Sequence, residues 1–313
     1  MSISPVENYL EAIKFGTPKY MPRANEEIIH SFELRRGKAF TSWTDSWGID
    51  WVVDMEETVP FPKGNPLPDI TKLNEYELPN PDCLFDGLGD EIEMMKKAKE
   101  EGKLIIGFYS QLLYERVWAI MGLENFMIAL IEEPELTREL LHKIAGYVKR
   151  VFENFLELGV DGVTFSEDLG TQRALMFSAA HLDEFFMPEY RFMFEDLLKE
   201  NKIVNFHCCG CIEEVVDRIA DLKATILNPI QSSANDISKI KEITFGKTAL
   251  QGGISSHLLV VGTQQEVKDE TARVIELLKP GGGYICGPDQ ILPEFPKENL
   301  DAMYKTALEL GKY

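Results

Sequence analysis

The sequence has no long uninterrupted apolar segment and comparatively few basic residues. No stretch approaches the roughly 18–20 apolar residues that a membrane helix requires, and the first residues lack the pattern of a secretory signal. Lysine and arginine number 32 against 52 acidic residues, which gives a formal net charge of −20. Because such a surface repels phosphate backbones and anionic lipids, we expect a cytoplasmic protein with no nucleic-acid or membrane partner.

Nucleotide-binding signatures and disulfide spacing are absent as well. Neither a GxGxxG segment that opens a helix after a strand nor a Walker A segment occurs. The chain has only five cysteines, and three of them (Cys208, Cys209 and Cys211) lie close together beside His207. An odd and clustered set differs from the even spread of a disulfide framework. The cluster therefore indicates metal or redox chemistry.

Strands and helices are predicted to alternate from about residue 90 onward, because short apolar runs separate segments of helical periodicity. Strands are expected at 104–109, 161–166, 202–208, 225–230, 248–254 and 282–287. Helices are expected at 90–103, 112–131, 134–159, 181–200, 212–222, 235–243, 264–278 and 297–311. This succession predicts a parallel sheet, either doubly wound or closed. The 313 residues fit an α/β fold of the TIM (β/α)8 barrel type with an N-terminal extension.

The chain divides into an extension, 1–85, and regular repeats, 86–313, within one predicted domain that spans its whole length. Residues 1–35 look helical at both ends. Residues 40–85 carry three tryptophans, among them Trp43, and a proline-rich run, which predicts irregular or short-strand structure. These aromatic side chains are candidates for lining a pocket, although ordinary packing on the barrel is the simpler explanation.

Polar residues gather at the C-terminal ends of the predicted strands, where TIM barrels build their active sites. The residues at or near these ends are Tyr109, Glu167, Asp168, His207, Cys209, Asn228, Gln231, Gln251, Cys286 and Gln290. Of the adjacent pair Glu167 and Asp168, we expect one to cap a helix N-terminus and the other to face the barrel centre.

His207 and Cys209 lie two residues apart on a strand, so both side chains point to the same side. Cys286 ends a later strand and is expected at the same rim. Zinc prefers thiolate and imidazole ligands, and three protein ligands leave a fourth position open for catalysis. Cys211 is a competing ligand, and a redox pair of Cys209 with Cys211 is the main competing chemistry. A buried cysteine that acts only as a small apolar residue is the simplest alternative.

Several segments resemble the uroporphyrinogen decarboxylase superfamily and, within it, the corrinoid-dependent methyltransferases. They are SWTDSWGIDWV (42–52), DGVTFSEDLGTQ (161–172), VNFHCCG (204–210), ILNPIQ (226–231), LQGGIS (250–255), GGGYICGPDQ (281–290) and PKENLDAMY (296–304). The resemblance implies a zinc ion held by His207, Cys209 and Cys286, which match the methyltransferase motif. The decarboxylases carry an arginine-rich motif, whereas this chain has only MPRANEEI (21–28), so a tetracarboxylate substrate is disfavoured.

The resemblance is greatest to the O-demethylase type. It implies transfer of a methyl group from a methylated small molecule, such as an aryl methyl ether, to the cob(I)alamin of a partner corrinoid protein. The chain lacks the Asp-x-His-x-x-Gly motif of corrinoid-binding domains, so the cobalamin is expected on that partner. The expected catalytic residues are Glu167 (as a weak fourth zinc ligand), Asp168 and Tyr109. The expected substrate contacts are Trp43, Asn228, Gln231 and Gln290.

Three alternatives stay open. The methyl group could move from the corrinoid protein to a thiol such as coenzyme M. A decarboxylase-like lyase would need no metal, and a non-catalytic zinc scaffold for a corrinoid protein would use Cys211 as a fourth ligand.

The chain also departs from the proteins that it resembles at Ala179, where proline is common, and at Gln290, where histidine is common. A homodimer is compatible with the sequence.

Overall fold

The structure, a computed structural model, describes residues 3–34, 41–53, 60–290 and 295–313. Its strands are β1 (Ile29–Glu33), β2 (Trp43–Thr44), β3 (Asp50–Val52), β4 (Phe61–Gly64), β5 (Leu104–Tyr109), β6 (Gly162–Ser166), β7 (Ile203–His207), β8 (Ile226–Ile230), β9 (Ala249–Ile254) and β10 (Tyr284–Pro288). Seven of them form a parallel sheet in the order β1-β5-β6-β7-β8-β9-β10, which curls into a TIM-like α/β fold as predicted. Strands β2, β3 and β4 form a separate antiparallel sheet.

Helices cover the outside of the curled sheet. The α-helices are α1 (Pro5–Ile13), α2 (Gly89–Glu100), α3 (Tyr114–Met121), α4 (Leu123–Glu132), α5 (Pro134–Leu158), α6 (Ala179–His181), α7 (Met187–Lys199), α8 (Val216–Asp221), α9 (Ile237–Thr244), α10 (Ser256–Val261), α11 (Gln264–Leu278) and α12 (Lys297–Leu310). Short 3₁₀ segments lie at Ile70–Glu75, Pro81–Phe85 and Glu213–Val215, and a π-helical turn lies at Leu182–Phe186. No helix of the described ranges is both long and apolar enough to cross a membrane.

Two sequence expectations need correction. The second helix expected within 1–35 is strand β1, which pairs in parallel with β5; five residues are too few for periodicity to distinguish helix from strand. The helix expected over 112–131 is two helices, because Gly122 adopts a φ of 85° between them. Beside β10, the segment around Arg23 forms one parallel bridge to Cys286.

The two faces of the curled sheet bury different sets of apolar residues. On the concave face, the first residues of several strands pack together with Tyr9 and Ile13 of α1. The strand members of this inner cluster are Leu104, Ile106, Ile203, Ile226, Ala249 and Ile285. Helix α1 therefore closes the end of the barrel at which the strands begin. The opposite faces of the strands join the larger core beneath the surrounding helices.

Asp45 organises the tryptophan-rich extension. Its carboxylate accepts hydrogen bonds from the backbone N–H of Trp47 (2.9 Å) and from the indole of Trp51 (2.9 Å). The same carboxylate pairs with Arg116 of α3 at 3.1 Å, and the Arg116 guanidinium lies 4.8 Å from the centre of the Trp47 ring. Trp47 and Trp51 are buried. These tryptophans therefore anchor the extension to the barrel by packing, which was the simpler expectation.

We predict that Asp45→Ala lowers the free energy of unfolding by about 3 kcal/mol, because it leaves the buried Arg116 guanidinium without its counter-ion. Urea denaturation measures this loss. The matched control is Asp50→Ala in the same small sheet, where Asp50 is exposed and bonds to Thr44. That variant is expected to lose less than about 1 kcal/mol. Equal losses in the two variants would contradict the anchoring role of Asp45.

Candidate active site and metal group

Five neighbouring strands of the curled sheet each carry a half-buried side chain next to fully buried residues. These half-buried residues are Phe108, Thr164, Asn205, Asn228 and Gln251, and we call them the lumen ring. Phe108, Asn205, Asn228 and Gln251 each come two residues after a member of the inner cluster, so alternation places them on the concave face. Thr164 pairs in register with Asn205 and lies on the same face. Their retained exposure, beside fully buried neighbours, identifies a solvent-accessible lumen that opens at the C-terminal ends of the strands.

Three potential metal ligands meet at the rim of this lumen. Asp168, His207 and Cys209 each offer one ligand atom, and these atoms all lie within 4.8 Å of one another. The Cys209 Sγ is 3.4 Å from the His207 Nε2, which is 3.9 Å from an Asp168 oxygen. We call these residues the rim group. Asp168 follows β6, His207 ends β7 and Cys209 follows it by two residues, so adjacent parallel strands bring the three together.

The rim group fits a zinc ion. Zn–S bonds of about 2.3 Å and Zn–N bonds of about 2.0 Å at a tetrahedral angle place sulfur and nitrogen about 3.5 Å apart, and the observed separation is 3.4 Å. The His207 and Asp168 side chains are 32% and 40% exposed, respectively. Cys209 is buried, but the exposure of the other two ligands leaves a fourth position accessible, as in catalytic zinc sites.

The electrostatics of the rim group favour a cation. Burial lowers the pKa of His207, which keeps the imidazole in the neutral form that binds metals. Burial and the neighbouring Asp168 carboxylate raise the pKa of the Cys209 thiol. A bound cation would reverse that shift, because a coordinating thiol is deprotonated.

The structure does not bring Cys286 together with His207 and Cys209. Cys286 lies in the middle of β10 and belongs to the outer core, whereas the adjacent Ile285 belongs to the inner cluster. Alternation along the strand therefore turns the Cys286 thiol away from the lumen. Cys286 is fully buried, and among the described residues only Asp168 joins His207 and Cys209 in a potential metal group. Cys211 does not belong to this group either.

Glu167 is a buried anchor and does not act as a fourth ligand in the described geometry. Its carboxylate accepts hydrogen bonds from the backbone N–H groups of Leu113 (3.1 Å), Tyr114 (2.7 Å) and Glu115 (3.3 Å) at the start of α3. It also accepts a hydrogen bond from the Tyr190 hydroxyl at 2.5 Å. As expected for the pair, one acid caps a helix and the other, Asp168, faces the centre. The capped helix belongs to the preceding strand–helix unit.

The two loops that carry the rim group touch through glycines. The Asp168 carboxylate accepts the backbone N–H of Cys209 at 2.7 Å. A Cβ on Gly210, which has a φ of 91°, would lie 2.2 Å from the Gly170 carbonyl oxygen. Gln231 supports this contact, because its side-chain oxygen accepts the N–H of Gly210 at 2.7 Å. Gln231, expected at the substrate, thus positions the loop that bears Cys209.

The other expected site residues occupy different surroundings. Asn228 is in the lumen ring and is the register partner of His207 on the neighbouring strand. Tyr109 is buried on the outer face of β5, so Phe108 takes the lumen position that was expected for it. Trp43 stacks on Trp51 in the antiparallel sheet, with ring centres 5.9 Å apart. Gln290 is exposed at the end of β10 and its backbone bonds to Ser256.

Sequence reasoning missed Glu115, which lies close to the rim group. One of its carboxyl oxygens is buried and has no hydrogen-bond partner among the described residues. Burial, and then the nearby charges of Asp168 and Glu167, raise the pKa of Glu115 to about 8. The signal was available, since an acid in the first turn of a helix that follows a strand lies at the barrel mouth.

Comparison with known proteins identifies the family. A family model described as uroporphyrinogen decarboxylase (URO-D) matches residues 44–310. A comparison with curated protein sequences gives no match. Among solved structures, a methyltransferase from Methanosarcina mazei has a TM-score of 0.77 at 18% identity, covering 98% of this chain and 99% of that chain. A B12-independent methionine synthase from Shewanella sp. W3-18-1 has a TM-score of 0.47 at 14% identity, covering 70% and 64%.

The curled parallel sheet, the closed lower end and the polar rim together define a TIM-like protein with a candidate active site at the C-terminal ends of its strands. The chain belongs to the uroporphyrinogen decarboxylase family, since the family model covers most of its length. At 18% identity, the similarity to the Methanosarcina mazei structure shows a shared fold.

We predict that Cys209→Ser lowers zinc affinity by at least about tenfold, whereas Cys286→Ser changes it by less than about twofold. The two variants make the same chemical change at a lumen thiol and at an outward thiol. Zinc bound after dialysis against a competing chelator, measured by mass spectrometry of the folded protein, tests both. Loss of zinc in Cys286→Ser would restore the ligand set implied by the sequence resemblance.

We also predict that Glu115→Gln flattens the pH dependence of stability in metal-free protein. The folded state raises the pKa of Glu115 from 4.5 to about 8, so between these values folded protein binds more protons than unfolded protein. The contribution of Glu115 to the free energy of unfolding therefore falls as pH rises from about 5 to 8. Urea unfolding across this range should show a shallower fall in Glu115→Gln. The exposed control Glu124→Gln should follow the parent; identical slopes for all three would refute the prediction.

Proposed function

We propose that this chain is a zinc-dependent methyltransferase that moves a methyl group from a methylated small molecule to the cob(I)alamin of a partner corrinoid protein. The rim group carries the proposal, because three potential zinc ligands converge within 4.8 Å at an open lumen. The Methanosarcina mazei structure of the same fold is described as a methyltransferase, which supports extending that activity here. The sequence segments that resemble corrinoid-dependent methyltransferases support the same extension.

The described charges disfavour the decarboxylation that gives the family its name. A polycarboxylate substrate would need cationic partners in the lumen, yet the lumen ring is uncharged. Arg23, at the place of the arginine-rich motif, pairs with Glu26 at 3.1 Å. Its backbone bridges Cys286, whose side chain faces the outer core. We therefore favour an uncharged methyl donor, with an aryl methyl ether as the leading candidate.

In the proposed reaction, some site residues would hold the zinc ion and others would fix the loops that carry those ligands. When bound, zinc would supply Lewis acidity toward the leaving oxygen of the methyl donor. His207, Cys209 and Asp168 would hold the ion at the rim, while Glu167 and Gln231 fix the loops that carry them. The phenyl ring of Phe108 offers an apolar contact below the rim. Because α1 closes the lower end, the partner's cobalamin must approach the methyl carbon from the open rim.

We predict that the purified protein with added zinc transfers methyl from a methoxy-aromatic compound to a reduced corrinoid protein. The change from the cob(I)alamin to the methylcobalamin absorption spectrum measures the reaction. Asp168→Asn should slow it by about 10- to 100-fold, because it weakens a carboxylate at the metal position. Asp269→Asn, on the exposed surface of α11, is the matched control and should retain the parent rate.

The same assay separates the proposed function from its alternatives. Demethylation of a methylcorrinoid protein by a thiol, with no reaction of methoxy-aromatics, would reverse the proposed direction. Decarboxylation without bound zinc would replace the proposal with a lyase. A zinc-loaded protein that leaves every methyl donor and methylcorrinoid unchanged would indicate a scaffold.

A further inference from the structure

The lumen ring contains an unfilled hydrogen-bonding position below the rim group. Asn205 donates a hydrogen bond from its side-chain nitrogen to the Thr164 hydroxyl at 3.1 Å. The side-chain oxygen of Asn205 is buried and has no partner among the described residues. Turning the amide over would exchange its two ends, but the hydroxyl can donate or accept, so one amide end stays open in either orientation.

This open position lies in line with the rim group. Asn205 and His207 are two residues apart on β7, so their side chains share one face about 6.6 Å apart along the strand. Thr164 pairs in register with Asn205 on β6. A ligand that reaches from the rim group into the lumen therefore meets the Thr164–Asn205 pair at its far end.

The side chains of the lumen ring determine which chemical group at the far end of the ligand would bind there. Thr164, Asn205, Asn228 and Gln251 are uncharged hydrogen-bonding side chains, and the fifth member of the ring is Phe108. The acids Asp168 and Glu115 lie at the rim above them. A hydroxyl group can both donate to the Asn205 oxygen and accept from Thr164, whereas a carboxylate would bring a charge that nothing in the ring neutralises.

We propose that Thr164 and Asn205 form a specificity subsite for an uncharged hydroxyl at the end of the methyl donor opposite its methoxy group. The inference rests on the proposed function for the nature of the donor. An aromatic ring with methoxy and hydroxyl groups in para positions places its two oxygens at opposite ends, one toward the rim group and one toward the subsite. The enzyme therefore prefers para-hydroxylated over para-carboxylated methyl ethers.

Equilibrium binding to the full-length protein with added zinc tests this proposal without any methyl transfer. Isothermal titration calorimetry compares 4-methoxyphenol, methoxybenzene and 4-methoxybenzoate, which differ only at the para position. One net hydrogen bond corresponds to about a fivefold gain in affinity, so 4-methoxyphenol should bind about fivefold more tightly than methoxybenzene. The benzoate should bind more weakly than methoxybenzene.

Two lumen variants and one control test whether the preference for 4-methoxyphenol depends on Thr164 and Asn205. Thr164→Val and Asn205→Leu keep the approximate shape of each side chain and should abolish the advantage of the phenol. Thr248→Val is the matched control, because its hydroxyl bonds to the backbone oxygen of Ala224 outside the lumen ring; it should retain the advantage. If Asn205→Leu does not fold, as judged by circular dichroism, Thr164→Val alone decides.

Several results would overturn the subsite. They are equal binding of phenol and methoxybenzene, tightest binding of the benzoate, an advantage that survives both lumen variants, or no binding of any probe to folded protein. The proposed function fails separately: a Thr164- and Asn205-dependent preference for the phenol, without methyl transfer to any corrinoid protein, would keep the subsite and reject the methyltransferase.

Discussion

The geometry of the site depends on the buried carboxylate of Glu167. Four donors from two helices converge on it: three backbone N–H groups at the start of α3 and the hydroxyl of Tyr190 on α7. Because Glu167 immediately precedes Asp168, this anchor fixes the direction in which the chain leaves β6. The next carboxylate then meets the backbone of Cys209, and the contact joins the two loops of the rim group. An anion held at a helix N-terminus thus sets the position of residues that could hold a cation.

Local rules predicted much of this arrangement. Spacing by two residues correctly placed His207 and Cys209 on one side of a strand, and the adjacent acids Glu167 and Asp168 divided their roles as expected. The structure separates Cys286 from these residues, because the face on which it lies depends on where β10 begins relative to the sheet. One residue of shift exchanges the two faces of a strand. The same alternation, applied backward from His207, would have indicated Asn205.

Long-range contacts decided the remaining features. Strand β1 exists because Ile29–Glu33 pairs with β5, and so short a segment carries no clear period of its own. Glu167 caps a helix that precedes it by about 50 residues in the chain, which no local capping pattern reveals. The tryptophans of the extension surround Asp45 because Arg116, far along the sequence, supplies its counter-ion. These partners become neighbours only once the sheet has curled.

The closure of the barrel by α1 has a kinetic consequence. With Tyr9 and Ile13 packed among the first residues of the strands, the described residues close the lumen at that end and leave it open at the rim. A small molecule and a partner's cofactor that use this opening cannot pass each other. In the proposed reaction the small molecule must enter before the partner docks, and the demethylated product must wait until the partner leaves. Turnover would then follow a compulsory order, and an excess of the partner would slow the exchange of small molecules.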